Sequence, residues 1–313
     1  MGGDENDPAA ELVSAFTQAL ADLGWTDGRN ARMDLRWAGG DINRRRALVQ
    51  ELLGLQPDII LANGAAATAA LQRETRTIPI EFANVADPVA SGIVARLDRP
   101  GGNITGFALN EASLGGKWLQ LLTEIAPGLK QAAIIFNPDF PVASTYMPSF
   151  ETAARSLKVV PIIAPVHSDG EIETSIIALG REPGGGLVVL GGGLQVATII
   201  LAAARYNVPA VYELSEFARN GGLLSYGPDR VDRYRRAATY VDRILRGEKP
   251  GDLPVQFPTK FEMVLTARPP TRSVLPYLHR FCCAPTRSSN RLRPPTRGPN
   301  GGVADSLDEA KAR

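Results

Sequence analysis

The feature that most constrains this chain is a recurrence: short apolar runs ending in polar turns, alternating with helix-length segments. Residues 58–62 (DIILA), 79–83 (PIEFA), 131–136 (QAAIIF), 187–190 (LVVL) and 208–212 (VPAVY) are such runs. A near-continuous apolar run of four to six residues reads as a strand covered on both faces, and a helix between each pair implies parallel pairing. Helical spacing predicts helices over 8–24, from Asp41 to about 55, and over an Ala-rich stretch to about 74. Residues 32–37 alternate Met33, Leu35 and Trp37 against charged residues, the pattern of a half-exposed edge strand. This half reads β-α-β-α-β, a Rossmann-like order.

The stretch 82–107 (FANVADPVASGIVARLDRPGGNITGF) divides two such arrays. A strand ending in the turn Asn84-Val85-Ala86-Asp87-Pro88 leads to a short helical piece over 89–97. The breaker run Arg99-Pro100-Gly101-Gly102-Asn103 follows, then a short strand over 104–107. Carboxyl ends of strands are where open α/β sheets place ligands, and a Pro-Gly-Gly linker is a natural domain crossing. The pattern then restarts, with helices expected over 114–125, 144–157, 170–181, up to 206 and 229–245. Strands are expected over 131–136, 159–164, 187–190, 208–212, 255–257 and 261–266. The expected fold is α/β: two Rossmann-like, doubly wound parallel-sheet lobes joined by a hinge. Lobe 1 takes 1–107 plus 228–250, lobe 2 takes 108–227 plus 251–266, and the remaining crossings lie near Tyr226 and Val255.

Composition excludes several classes. The chain has 313 residues and a formal net charge of +1. That sum hides an asymmetry, because eight arginines and Lys311 face only three acids after position 266. Residues 1–266 therefore hold 25 basic against 30 acidic side chains, and an acidic body without a basic stripe argues against nucleic acid. No apolar run reaches the roughly 18 residues of a membrane span. The adjacent Cys282 and Cys283 make no disulfide framework, and His167 and His279 are too isolated for a metal site. Residues 267–301 are rich in Pro and Arg, and 267–313 are expected to stay mostly disordered; a basic interaction tail is the alternative.

No catalytic set is visible: there is no Gly-x-Ser-x-Gly elbow, no phosphate loop and no His beside a nucleophile. No cofactor is expected. Gly191-Gly192-Gly193 lacks the third glycine of a dinucleotide turn, since Val196 stands there. It reads either as a tight βα turn or as helix-start amides that receive a carboxylate. Candidate ligand residues at strand ends are Asn63, Gly64, Asn84, Asp87, Asn137, Asp139, Gly191, Gly192 and Tyr212, with Tyr226 at the return crossing. Asp87 suits an ammonium group, and the tyrosines suit a small ring.

The runs ALADLGWTDGRNARMDLRWAGGD, ELLGLQPDIILANG, TRTIPIEFANVADPVASGIVARLDRPGGNITGF, GGKWLQLLTEIAP, AAIIFNPD, VPAVYE, GGLLSYGPD and YRRAATYVDRILRGEKPGDLPVQFPTKFEMV resemble the ABC transporter substrate-binding proteins of the tryptophan/tyrosine-binding lipoprotein type. They span about 10–265. The resemblance implies a type I periplasmic-binding-protein fold with three hinge segments, and a non-enzymatic, monomeric protein. Its implied role is to capture an amino acid or related small carboxylate, aromatic ones first, and deliver it to a membrane permease outside the cytoplasm. The motif positions that would line the cleft include Asn63, Asp87, Asn137, Tyr212 and Tyr226. A cytosolic ligand sensor on the same fold, or a Rossmann-like enzyme, is the competing reading.

Three departures from the family stand out. The export signal and first strand that members carry ahead of the Gly2-Gly3-Asp4-Glu5 region are missing, so this form is expected to remain in the cytoplasm and its first lobe to lack a central strand. The loop at Gly191-Gly192-Gly193 is glycine where relatives are bulkier or polar. After Leu265 the text reads as a segment one base out of frame. A gene start placed too late and a frameshifted end are the expected causes of the first and last.

Overall fold

The computed structural model describes residues 8–38, 41–139, 143–192 and 194–266. The readings made for 267–313, and Gly193, lie outside the described residues. The elements in chain order are α1 (Pro8–Asp22), α2 (Ile42–Gly54), β1 (Ile60–Asn63), α3 (Ala65–Glu74), β2 (Ile80–Val85), β3 (Ile104–Ala108), α4 (Leu114–Ile125), β4 (Gln131–Phe136) and α5 (Ala143–Leu157). Then follow β5 (Val160–Pro165), α6 (Asp169–Gly180), β6 (Gly185–Val189), α7 (Val196–Arg205), β7 (Ala210–Tyr212), α8 (Ser215–Arg219), β8 (Leu224–Pro228), α9 (Arg230–Leu245) and β9 (Phe261–Leu265). Local chemistry starts several of the helices. Asp41 accepts from the amides of Asn43 and Arg44, Ser168 from Glu171, and Asp229 from Asp232, each satisfying amides that the first turn leaves free.

The strands form two sheets. One has the order β1-β2-β3, all parallel; the other has the order β5-β4-β6-β7-β8-β9, parallel except for antiparallel β9. On the first sheet, Ile60, Ile80, Phe82 and Ile104 pack with Val49 of α2 and Leu71 of α3. On its other face Phe107 packs with Ala237, Tyr240 and Ile244 of α9, and Ala83 with Leu12 of α1 and Tyr234. On the second sheet, Ala133, Ile135, Leu187 and Val189 pack with Ile172 and Ile176 of α6 and Ile199 of α7. Both sheets are thus covered on two sides, as the apolar runs require. At Gly106 the backbones of β2 and β3 come so close that a Cβ would stand 2.1 Å from the Phe82 carbonyl oxygen.

Three expectations are corrected. Residues 32–37 are not a strand but irregular chain, and Leu35 and Trp37 face solvent. A strand exists only where a neighbour completes its ladder, and among the described residues no strand runs beside this segment or on the outer edge of β1. Residues 89–97 are a string of turns rather than helix; the amides of Ile93 and Val94 both donate to the Pro88 carbonyl, and Gly92 takes a φ of 69°. The strand expected at 255–257 shrinks to one bridge between Gln256 and Phe107, because the flanking Pro254 and Pro258 have no N–H to extend it. Residues 251–255 pack on the first sheet: Thr105 Oγ1 donates to the Leu253 carbonyl at 2.7 Å, and Val255 joins the cluster around Phe82.

Candidate functional site

At the carboxyl ends of β1 and β2 the chain builds a small polar platform. Register slips between Ala83 and Val85, which leaves Asn84 bulged in a left-handed conformation with φ 62°. Asn tolerates that region because its short side chain bonds locally, and a bulge re-aims a side chain out of the ladder. Asn84 Nδ2 donates to Asn63 Oδ1 at 2.5 Å, while Asn84 Oδ1 is buried without a partner. Gly64, with φ 84°, turns the chain into α3 and donates its amide to the Ala83 carbonyl at 2.7 Å. Asp87 is exposed, but its Oδ1 accepts from the amides of Val89 at 3.2 Å and Ala90 at 2.9 Å. The carboxylate expected to meet an ammonium group thus also holds its own loop.

The second sheet presents a similar rim. Asn137 Oδ1 accepts from the Asp139 amide at 2.9 Å, and Asp139 is exposed. Gly191 and Gly192 do not open a helix, as α7 starts only at Val196. The Gly191 amide does meet a carboxylate, but an internal one: it donates to Glu213 Oε2 at 2.8 Å. A Cβ at Gly191 would stand 2.6 Å from a Leu214 methyl, so a larger residue here requires the Leu214 side chain to shift.

Between the two sheets lies a buried cluster that sequence reasoning missed. Asn110 follows β3, Glu213 follows β7, Tyr146 stands on α5, and Arg233 lies in the first turn of α9. Asn110 Nδ2 donates to Glu213 Oε1 at 2.9 Å and to the Tyr146 hydroxyl at 3.0 Å. Arg233 is only 2% exposed and donates through Nη2 to the Leu109 carbonyl at 2.6 Å. Among the described residues its Nε and Nη1 have no partner, nor has Asn110 Oδ1. Burial pushes the Glu213 carboxyl up, against the Gly191 amide and Arg233, which pull it down. Burial, and then the neighbouring Arg230, brings the Arg233 guanidinium down to about 10. Arg230 itself pairs with Glu216 of α8, tying α9 to the second sheet. The missed signal was parity and charge: an Arg one turn into an amphipathic helix, and an Asn just after a strand, both at crossings between sheets.

The aromatic candidates go elsewhere. Tyr212 is 1% exposed and stacks on Phe217 at 5.0 Å inside the core of the second sheet, so it is a packing residue rather than a ring platform. Tyr226 stacks on Phe261 at 5.7 Å, and its carbonyl accepts from Trp118 Nε1 at 2.7 Å. Its side chain borders a groove of about 850 Å³ between α4 and α5, lined also by Lys117, Gln120 and Thr152. Trp118 is core and Trp25 bonds Asp242 at 2.8 Å between α1 and α9.

Two α/β sheets with polar strand ends and a polar junction are the frame on which comparison with known proteins bears. The family profile described as ABC transporter substrate binding protein matches residues 5–269. The chain belongs to that family. Among curated proteins, the substrate-binding chain is 24% identical over 256 residues to a tyrosine-binding protein of Clostridioides difficile (strain R20291), covering 80% of this chain and 72% of the relative. Among solved structures it superposes on an ABC domain in complex with L-Trp from Streptococcus pneumonia with a TM-score of 0.74, at 19% identity, over 86% of this chain and 93% of the other. A conserved domain protein from Vibrio cholerae gives a TM-score of 0.72 at 24% identity, over 82% and 86%. The fold is that of a type I periplasmic binding protein. Among the described residues no helix is long and apolar enough to cross a membrane.

Proposed function

We propose that this protein is the solute-binding component of an ABC importer, which captures an amino acid between its lobes and hands it to a membrane permease on the extracytoplasmic side. Aromatic amino acids come first, by likeness to relatives named for tyrosine and crystallised with L-Trp. The observation that carries the reading is the gathering of polar groups at the carboxyl ends of both sheets, around one buried junction, in a member of a substrate-binding family. Asn63, Gly64, Asn84 and Asp87 supply one wall, and Asn137, Gly191 and Gly192 the other. No group among these is poised to break a bond, which fits binding without turnover. In this reading lobe 1 takes residues up to 107 plus 228–256 and lobe 2 takes 108–227 plus 257–266; moving the boundary from 251 to 257 is supported by the packing of Leu253 and Val255 on the first sheet. Closure is a hinge motion at the crossings, and the protein acts as a monomer.

Thermal-shift measurement across an amino-acid panel tests this. A ligand at a hundred times its Kd stabilises the native state by about 2.7 kcal/mol, which raises Tm by several degrees. L-tyrosine or L-tryptophan is expected to do so while sugars do not. A panel with no shift at all, or turnover of any solute, would defeat the proposal.

A further inference from the structure

We propose that Arg233 and Asn110 form the anchor that recognises the charged end of the ligand, an inference that rests on the amino-acid reading above. A guanidinium carries five N–H donors, and burial of each without a partner is costly. Among the described residues the guanidinium of Arg233 bonds only through Nη2, to the Leu109 carbonyl, while Nε and Nη1 are buried and unspent. Glu213, the acid beside it, is committed instead to the Gly191 amide and to Asn110 Nδ2. Both N–H groups of Asn110 are likewise spent, on Glu213 and Tyr146, which leaves Oδ1 as an unpartnered acceptor. The residual capacity of the cluster is therefore several donors on a fixed cation and one acceptor on Asn110, the residue after the one whose carbonyl that cation bonds. An α-amino acid is its complement: a carboxylate for the guanidinium, and an ammonium N–H for the amide oxygen.

The placement agrees with this role. Asn110 lies just past β3 on the first crossing, and Arg233 in the turn where β8 gives way to α9, so both stand on segments that move when the lobes part. An open hinge exposes the unspent atoms to solvent and incoming solute, and closure over the ligand completes their bonds. The other charged or titratable groups around Arg233 are Arg230, Glu213, Tyr146 and Tyr234. Arg230 is paired with Glu216 and so does not compete for the ligand carboxylate, while Glu213 accepts from its own two N–H donors and leaves Nε and Nη1 of Arg233 untaken.

The experiment compares calorimetric titrations of L-tryptophan and L-tyrosine with tryptamine and tyramine, which keep ring and amine but lack the carboxylate. The wild-type chain is expected to bind the amino acids at least about thirtyfold more tightly than the amines, the lower bound for a buried charge pair. Arg233→Met is expected to lose most of that preference while keeping amine binding. A merely structural arginine predicts equal losses for both ligand classes. Retained preference in Arg233→Met, or equal loss of amine and amino acid, overturns the anchor. Should that variant fail to fold, equal binding of amine and amino acid by the wild-type chain overturns it without any substitution. A wild-type chain that binds neither class defeats the amino-acid reading, and the anchor with it.

Discussion

Replacing Glu81 with leucine is expected to stabilise this protein at neutral pH and to flatten its pH dependence. Glu81 lies on β2, between Leu61 of β1 and Thr105 of β3, and is 0% exposed. Among the described residues neither carboxyl oxygen has a hydrogen-bond partner. Burial alone pushes its pKa well above the ordinary glutamate value, so the folded chain keeps the proton after the unfolded chain has lost it. The sign follows directly. Below the unfolded value, about 4.3, both states are protonated and Glu81 adds no pH dependence. As pH rises above that point the unfolded state ionises alone, and stability falls by about 1.4 kcal/mol per pH unit until the raised folded pKa is reached. Glu213, also raised, adds a loss of the same sign in its own window. Glu81→Leu removes one of these two contributions together with an unpartnered buried group worth about 1–3 kcal/mol. Glu81→Gln serves as the control: it removes the slope but leaves a buried amide, so at pH 4 it should match the wild type. Urea unfolding between pH 4 and 7.5, followed by tryptophan fluorescence, measures both effects. An unchanged slope in Glu81→Gln, or a Glu81→Leu variant less stable than wild type at pH 7, refutes the reasoning.

Two further substitutions probe the frame. Gly106→Ala drives a methyl group into the Phe82 backbone at 2.1 Å and is expected to cost about 3 kcal/mol in urea unfolding; a cost under about 0.5 kcal/mol would show that the sheet yields there. Asp41→Ala removes the side chain that caps two amides of α2 and is expected to cost about 1 kcal/mol by thermal denaturation, with Asp41→Asn near neutral.

Much of the architecture was legible in the linear order of residues because its causes are local. Apolar runs such as QAAIIF, caps such as Asp41 and Asp229, and punctuation such as Gly101-Gly102 act within a few positions, and they placed nearly every strand and helix. The expectation of a type I periplasmic-binding fold rested on motifs such as GGLLSYGPD and is borne out by the family match and by both sheets. Where pairing depends on a distant neighbour, local pattern failed. The alternation over 32–37 promised a strand, but a ladder needs a second backbone, and none is there among the described residues.

The site shows the same division. Turn chemistry located the polar strand ends at Asn63, Asn84 and Asn137, because Asn and Gly relieve backbone strain wherever a strand breaks. Only the tertiary structure decided that Tyr212 turns inward to Phe217, that the carboxylate awaiting Gly191 belongs to Glu213, and that Arg233 meets the Leu109 carbonyl from 124 positions away. Periodicity assigns a residue to one face of its own element. Which buried polar atoms find partners, and which are left unspent, is settled by the packing of one sheet against another.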